Sequence, residues 1–67
     1  MTQSLISPDK ADTILQLPGW SDGDLFPLGN GRLAEYDHER RTFVIKERGT
    51  FIGEVPFRAL KDIRDGK

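Results

Sequence analysis

The sequence predicts a small α+β fold, in which an antiparallel β-meander of three to four strands is flanked by a short N-terminal helix and a short C-terminal helix. Two observations carry this prediction. Residues 42–46 and 50–55 are rich in β-branched and aromatic side chains, and the charged segment 47–49 between them contains a glycine, which is typical of a β-hairpin. A helix-start pattern precedes this hairpin, and apolar residues at helical spacing follow it.

The N-terminal helix is predicted from its capping pattern. Ser7 can act as the N-cap, Pro8 suits the first helical position because its missing N–H would be unpaired there, and Asp9 places a negative charge in the first turn. The proline and glycine at positions 18 and 19 end the helix. Its apolar side consists of Ala11, Ile14 and Leu15.

The register of the central hairpin decides which residues share a face of the sheet. We expect a three-residue loop that ends in Gly49, because glycine adopts the left-handed conformation of a G1 bulge at no steric cost. This loop sets Ile45 opposite Phe51. A two-residue loop at Arg48 and Gly49 would set Lys46 opposite Phe51 and bring a charge to the apolar side, which favours the longer loop. The predicted inner face then consists of Phe43, Ile45, Phe51 and Val55, and the outer face of Thr42, Val44, Lys46, Thr50, Ile52 and Glu54.

Two further strands precede the hairpin. Residues 25–28 are predicted as a short edge strand, since Pro27 has no backbone N–H to donate and is not tolerated in a central strand. Asn30-Gly31 is a strong signal for a hairpin turn, and residues 32–37 alternate as the next strand. A four-residue loop then sets Ala34 opposite Ile45 and Tyr36 opposite Phe43.

The C-terminal helix is expected to open at Pro56 and to run through about Arg64. Phe57, Leu60 and Ile63 form its apolar stripe.

Length and composition limit the classes of function. Sixty-seven residues make one small domain, covering residues 1–67, and the absence of cysteine excludes disulfides and thiolate sites. A formal net charge of −1 argues against a purely electrostatic hold on nucleic acid or on an acidic membrane. The sequence has no apolar segment near the roughly 20 residues of a membrane span and no signal-peptide pattern, so we expect a cytoplasmic protein without membrane contact.

The polar motifs are weak signals for chemistry. The segment 22–24 resembles a fragment of a calcium loop but lacks the further oxygen ligands and the closing glutamate. The segment 29–31 lacks the lysine and hydroxyl residue of a phosphate-binding loop. His38 has no nucleophile or paired acid beside it in the sequence. We therefore expect no catalytic residues, no cofactor and no metal, and not an enzyme.

The most informative feature is a second apolar stripe, which the predicted registers place on the outer face of the sheet. A sheet with one face in water should not carry so many large apolar groups there, so either the N-terminal helix or another molecule covers them. Trp20 can cap one end of the core or anchor a partner. The candidate partner-binding residues are Leu33, Val44, Ile52, Phe26 and Trp20, with Leu28 on the same stripe.

A nucleic-acid-binding module is the second interpretation. Its candidate residues are Arg40, Arg41, Lys46 and Arg48, which fall at opposite ends of one predicted strand and so do not form a single patch. The order of a short sheet and a packed helix over residues 32–64 resembles the small DNA-binding domains of some phage integrases and of plant AP2-type factors, which lay a bare sheet face into the major groove. The outer face predicted here departs from that pattern, because it carries Glu35, Asp37 and Glu54 against Lys46.

The sequence therefore predicts a small non-enzymatic binding module. Its expected partner is another protein, or a second copy of the chain, with a role as a regulator, inhibitor or accessory subunit. The alternative is a nucleic-acid-binding module that uses the sheet or its basic turns.

Overall fold

The computed structural model describes residues 5–66 of the chain. Within these residues, two helices and four strands follow one another as α1 (Pro8–Leu15), β1 (Leu25–Gly29), β2 (Arg32–Asp37), β3 (Thr42–Glu47), β4 (Thr50–Pro56) and α2 (Ala59–Asp65). The strands form one antiparallel sheet in the order β1-β2-β3-β4. The predicted α+β fold with a β-meander between two helices is confirmed.

Helix α1 begins as its sequence predicts. The Ser7 hydroxyl accepts a hydrogen bond from the backbone N–H of Lys10 at 3.3 Å, and Pro8 occupies the first turn. The helix buries Ala11 and Ile14, and the carbonyl of Ile14 near its end accepts a hydrogen bond from the indole of Trp20 at 3.1 Å. The backbone N–H of Leu17 donates to the same carbonyl at 3.2 Å, so Trp20 adds a second hydrogen bond at the end of the helix.

The core lies between the sheet and a layer made of α1 and α2, which pack against each other. Ala34, Tyr36, Phe43 and Ile45 point into this layer from the two central strands, and all four are buried. We call their side of the sheet the helix face and the opposite side the open face. The remaining buried apolar residues are Ile6, Ala11, Ile14, Val55 and Leu60.

The register of the two central strands agrees with the prediction. Ala34 pairs with Ile45, and Tyr36 pairs with Phe43, across the four-residue loop that joins β2 to β3. Alternation along the strands then places Leu33 and Val44 on the open face.

The predicted register of the β3–β4 hairpin is wrong. The loop has two residues, Arg48 and Gly49, with φ of 51° and 86°, and Lys46 pairs with Phe51. Two positive φ values in succession give the type I′ turn, whose twist suits the strands that it joins. Lys46 tolerates the aromatic neighbour because the stem of a lysine is apolar and its ammonium can stay in water.

A bulge in β4 places Phe51 and Ile52 on the faces opposite to those predicted. The register shifts between Ile45 and Lys46, so that Ile45 faces Gly53 and Phe43 faces Val55. Phe51 therefore lies on the open face, whereas Ile52 packs against the core. The bulge also sets Gly53 beneath Leu5, where a Cβ atom would lie 2.5 Å from Leu5 Cδ1. The predicted inner positions of Phe43, Ile45 and Val55 are confirmed.

A second bulge corrects the predicted face of β1. The Asn30-Gly31 turn forms as predicted, with φ of 56° and 78°, but the register shifts between Pro27 and Gly29. Phe26 consequently pairs with Ala34 instead of facing the open side. Phe26 and Leu28 pack against the core, since burying two large apolar side chains outweighs one interrupted ladder position on an edge strand.

The start of α2 is also corrected. Pro56 is the last residue of β4, and the helix begins at Ala59. The backbone N–H of Phe57 donates to the carbonyl of Arg41 at 2.9 Å, which holds the chain beside the β2–β3 loop for one residue more. Leu60 is buried and Ile63 packs against the core, whereas Phe57 stays partly exposed at the end of the sheet.

The left-handed turn at Gly49 provides a test of the β3–β4 hairpin. Gly49→Val should lower the free energy of unfolding by more than about 1 kcal/mol, because a β-branched residue is strained at positive φ. A Cβ atom there would meet nothing within 4 Å, so the cost would arise from the backbone. Urea denaturation followed by circular dichroism measures it.

Gly19 is the matched control, since a Cβ atom there also has no neighbour within 4 Å and its φ lies outside the left-handed region. Gly19→Val should be nearly neutral. Equal losses of stability in the two variants would contradict the type I′ turn.

Candidate functional site

The open face of the sheet is the first candidate site. The described helices α1 and α2 bury their apolar side chains in the cluster on the other side of the sheet. Within residues 5–66, the open face is therefore left without a covering element. Cross-strand pairing arranges it in two rows, Leu25–Glu35–Val44–Glu54 and Pro27–Leu33–Lys46–Phe51.

Apolar side chains run across these two rows. Leu33 and Val44 are half-buried by their neighbours at the centre of the sheet. Leu25 on β1 and Phe51 on β4 are 56% and 58% exposed, at opposite edges of the face. Single exposed apolar residues are common on proteins, but several on one sheet face form a patch of the kind that marks an interaction site.

Two ion pairs involve carboxylates of the open face. Lys46 Nζ lies 3.8 Å from Glu35 Oε1, and Arg40 Nη2 lies 2.8 Å from Glu54 Oε1. Val44 sits between Glu35 and Glu54 in its row. Glu35 and Glu54 therefore each have a cation beside them, whereas Asp37, which alternation places on the same face, has no ion pair among residues 5–66. The apolar groups lie within a frame that carries slightly more negative than positive charge.

The structure divides the predicted partner-binding residues between two faces. Leu33 and Val44 share the open face, as expected. Phe26 and Ile52 pack against the core on the helix face, because of the two bulges. Trp20 is half-buried on that same side, where its ring lies 5.3 Å from Tyr36 and 5.2 Å from Phe43.

Sequence reasoning misses Leu25 and Phe51, which are the most exposed large apolar residues of the open face. Leu25 and Phe26 are adjacent in β1 and so lie on opposite faces of the sheet. This alternation is the signal for Leu25, because it puts Leu25 on the open face whenever Phe26 faces the core. For Phe51, the signal is the two-residue loop, which brings it opposite Lys46.

A groove at one end of the sheet is the second candidate site. It has a volume of about 340 Å³ and is lined by Arg40, Arg41, Pro56, Phe57 and Arg58. The other two basic candidates lie elsewhere: Lys46 is on the open face, and the side chain of Arg48 lies over Gly31 at the far end of β3. As predicted, Arg40 and Arg41 lie apart from Lys46 and Arg48. The contribution of Phe57 and Arg58 to the groove is not predicted from the sequence.

One carboxylate at the opposite end of the sheet has a perturbed pKa. The hydrogen bond from Arg32 Nε to Glu47 Oε1, at 2.9 Å, is the main reason that the pKa of Glu47 lies below its ordinary value. Loss of hydration opposes this shift, and the charges of Arg32 and Arg48 add to it. A lowered pKa means that this pair supports the folded state at neutral pH and is lost as the pH falls through that pKa. This pair ties β2 to β3 and belongs to neither candidate site.

Metal binding finds no support within the described part of the chain. Residues 5–66 contain no group of three or more histidine, cysteine, aspartate or glutamate side chains placed to hold a metal ion. Among the same residues, neither helix has the length and apolar character needed to cross a membrane.

Comparisons with known proteins find no family model, no curated protein and no solved structure that matches this chain. The function must therefore be argued from the two surfaces themselves.

Adjacent residues of β3 provide a test of which face is open. Val44→Asp should leave the domain folded, with a loss of about 1 kcal/mol from repulsion by Glu35 and Glu54 across the strands. Ile45→Asp should abolish folding, because its carboxylate would be buried in the apolar core without a partner. Thermal melting by circular dichroism at neutral pH distinguishes the two outcomes. A Val44→Asp variant as unfolded as Ile45→Asp would show that the open face is covered.

Proposed function

We propose that this chain is a small, non-enzymatic binding module that docks onto another protein through the open face of its sheet. The observation that supports the proposal is the exposure of Leu25 and Phe51 on the face that carries Leu33 and Val44 and that α1 and α2 leave uncovered. Burial of such side chains against a partner is the main favourable contribution to association. Such a module would act as a regulator, inhibitor or accessory subunit, and its expected cytoplasmic location remains a prediction.

The charges of the open face favour a protein partner over nucleic acid at this site. Glu35 is paired with Lys46, and Glu54 is paired with Arg40, so the face offers no surplus of positive charge to phosphates. Paired charges around apolar residues resemble the polar rim of a protein interface, where they contribute to orientation more than to affinity.

Partial exposure distinguishes the roles of the four apolar residues. Leu25 and Phe51 have the most surface left to bury, so they are the proposed anchors. Leu33 and Val44 lie between them and would exclude water from the centre of the contact. Trp20, Phe26 and Ile52 act in this proposal through the core that supports the sheet.

The proposed interface is tested by the double variant Leu25→Asp, Phe51→Asp. We expect this variant to remain folded, since both side chains are more than half exposed, and to lose association, since two carboxylates would be buried in the contact. Light scattering of the purified chain measures self-association. Affinity capture from an extract of the native cell, followed by binding measurements on the purified partner, measures association with another protein.

Leu17→Asp is the matched control, because Leu17 is also an exposed leucine, at 42%, but follows α1 and lies away from the open face. It should bind like the wild type. Equal binding by all three proteins would exclude the open face as the interface. Loss of binding in Leu17→Asp alone would move the interface to the α1 side.

A further inference from the structure

The groove between the β2–β3 loop and the β4–α2 junction is built from two segments that the fold holds together. Thr42 pairs with Pro56 at the end of the sheet, and the backbone N–H of Phe57 donates to the carbonyl of Arg41 at 2.9 Å. Arg41 itself adopts a left-handed conformation, with φ of 53°. These backbone constraints fix the positions from which Arg41 and Arg58 line the groove.

The three arginines of the groove are not equivalent. Arg40 pairs with Glu54 at 2.8 Å, so its charge is largely compensated. Neither Arg41 nor Arg58 lies within ion-pair distance of an acidic group in the described chain, residues 5–66. The groove is therefore lined by two arginines without an ion pair among the described residues, on a protein whose formal net charge is −1.

An aromatic ring lies beside these charges. Phe57 is 36% exposed, and its ring meets that of Trp20 edge to face, with centroids 5.7 Å apart and planes at 70°. Contact with Trp20 holds the ring in place while part of it faces the groove. Pro56 adds a second flat apolar surface to the lining.

We propose that this groove binds single-stranded nucleic acid, with one base against Phe57 and the neighbouring phosphates on Arg41 and Arg58. Arginine forms bidentate hydrogen bonds with phosphate, and exposed aromatic rings stack on bases that are not paired in a duplex. A groove of about 340 Å³ accommodates a single nucleotide but not a double helix. An acidic peptide would use the two guanidinium groups and leave the ring unused, so it fits the lining less completely.

The chain carries its own reporter for this interaction. Trp20 is the single tryptophan, and it touches Phe57. Titration of the full chain with a short oligothymidylate or oligouridylate should therefore change the Trp20 fluorescence and saturate. With two phosphate contacts on a single strand, the slope of log Kd against log salt should be about 1.4, so that affinity falls about sevenfold between about 50 and about 200 mM salt. Tighter binding of either oligonucleotide supports the site and identifies whether RNA or DNA is preferred.

Charge variants test the assigned phosphate contacts. Arg41→Gln and Arg58→Gln should each weaken binding about tenfold and reduce the salt slope to about 0.7, measured by the fluorescence anisotropy of a labelled oligonucleotide. Arg48→Gln is the matched control, because it removes the same charge at the far end of β3 and should leave the affinity unchanged. Equal weakening by Arg48→Gln would overturn the proposal in favour of diffuse electrostatic attraction.

A third substitution separates stacking from charge. Phe57→Leu should weaken binding about tenfold while the salt slope stays near 1.4, because stacking is lost and the phosphate contacts remain. Circular dichroism confirms that each variant is folded. The proposal is overturned if no saturable binding occurs at low salt, or if a phosphoserine peptide of matched charge competes as well as the oligonucleotide. Unchanged oligonucleotide binding by the Leu25→Asp, Phe51→Asp variant would show that this site is independent of the open face.

Discussion

The ring of Phe43 lies against three other aromatic rings, which come from three different parts of the chain. Its centroid is 5.0 Å from that of Tyr36 on β2, 5.2 Å from that of Trp20 in the α1–β1 connection, and 5.8 Å from that of Phe26 on β1. A chain of this length without disulfides depends on such burial for its stability. Trp20 also bonds to the end of α1 and touches Phe57 before α2, so the contacts around Phe43 extend to both described helices. These contacts around Phe43 determine which face of the sheet the two helices cover.

The bulges in β1 and β4 follow from the same constraint. Each occurs in an edge strand, where an interrupted ladder position costs least, and each turns an apolar side chain toward the helices. Phe26 and Ile52 reach the core in this way. Their strand neighbours Leu25 and Phe51 are then left on the open face. The candidate protein-binding surface therefore consists of the apolar residues that remain once the core is filled, which explains why the most exposed of them lie at its two edges.

Features governed by local chemistry could be predicted from the sequence, and features governed by distant contacts could not. The Ser7 cap and the Asn30-Gly31 turn depend only on neighbouring residues, and both form as predicted. The bulges depend on which face the helices bury, which no short segment encodes. The positions of Leu33 and Val44 on the open face are nevertheless predicted correctly, because both residues lie on central strands without bulges. The pairing of Lys46 with Phe51 is rejected in the prediction for a different reason, namely the charge of lysine. The apolar stem of lysine can lie beside an aromatic ring while its ammonium stays in water.

Net charge is a poor guide to what this chain binds, because the charged residues are distributed unevenly between the two surfaces. On the open face Glu35 and Glu54 each have a cation at short range, so that no excess of positive charge remains there. At the groove, Arg41 and Arg58 come together only because the fold joins the β2–β3 loop to the β4–α2 junction through the Phe57 backbone. A formal charge of −1 averages over both surfaces and so argues against phosphate binding that the local arrangement favours. The distance over which salt screens charges, about 8 to 10 Å, is shorter than this domain's extents of 26 × 26 × 19 Å, so a phosphate in the groove responds mainly to the charges beside it.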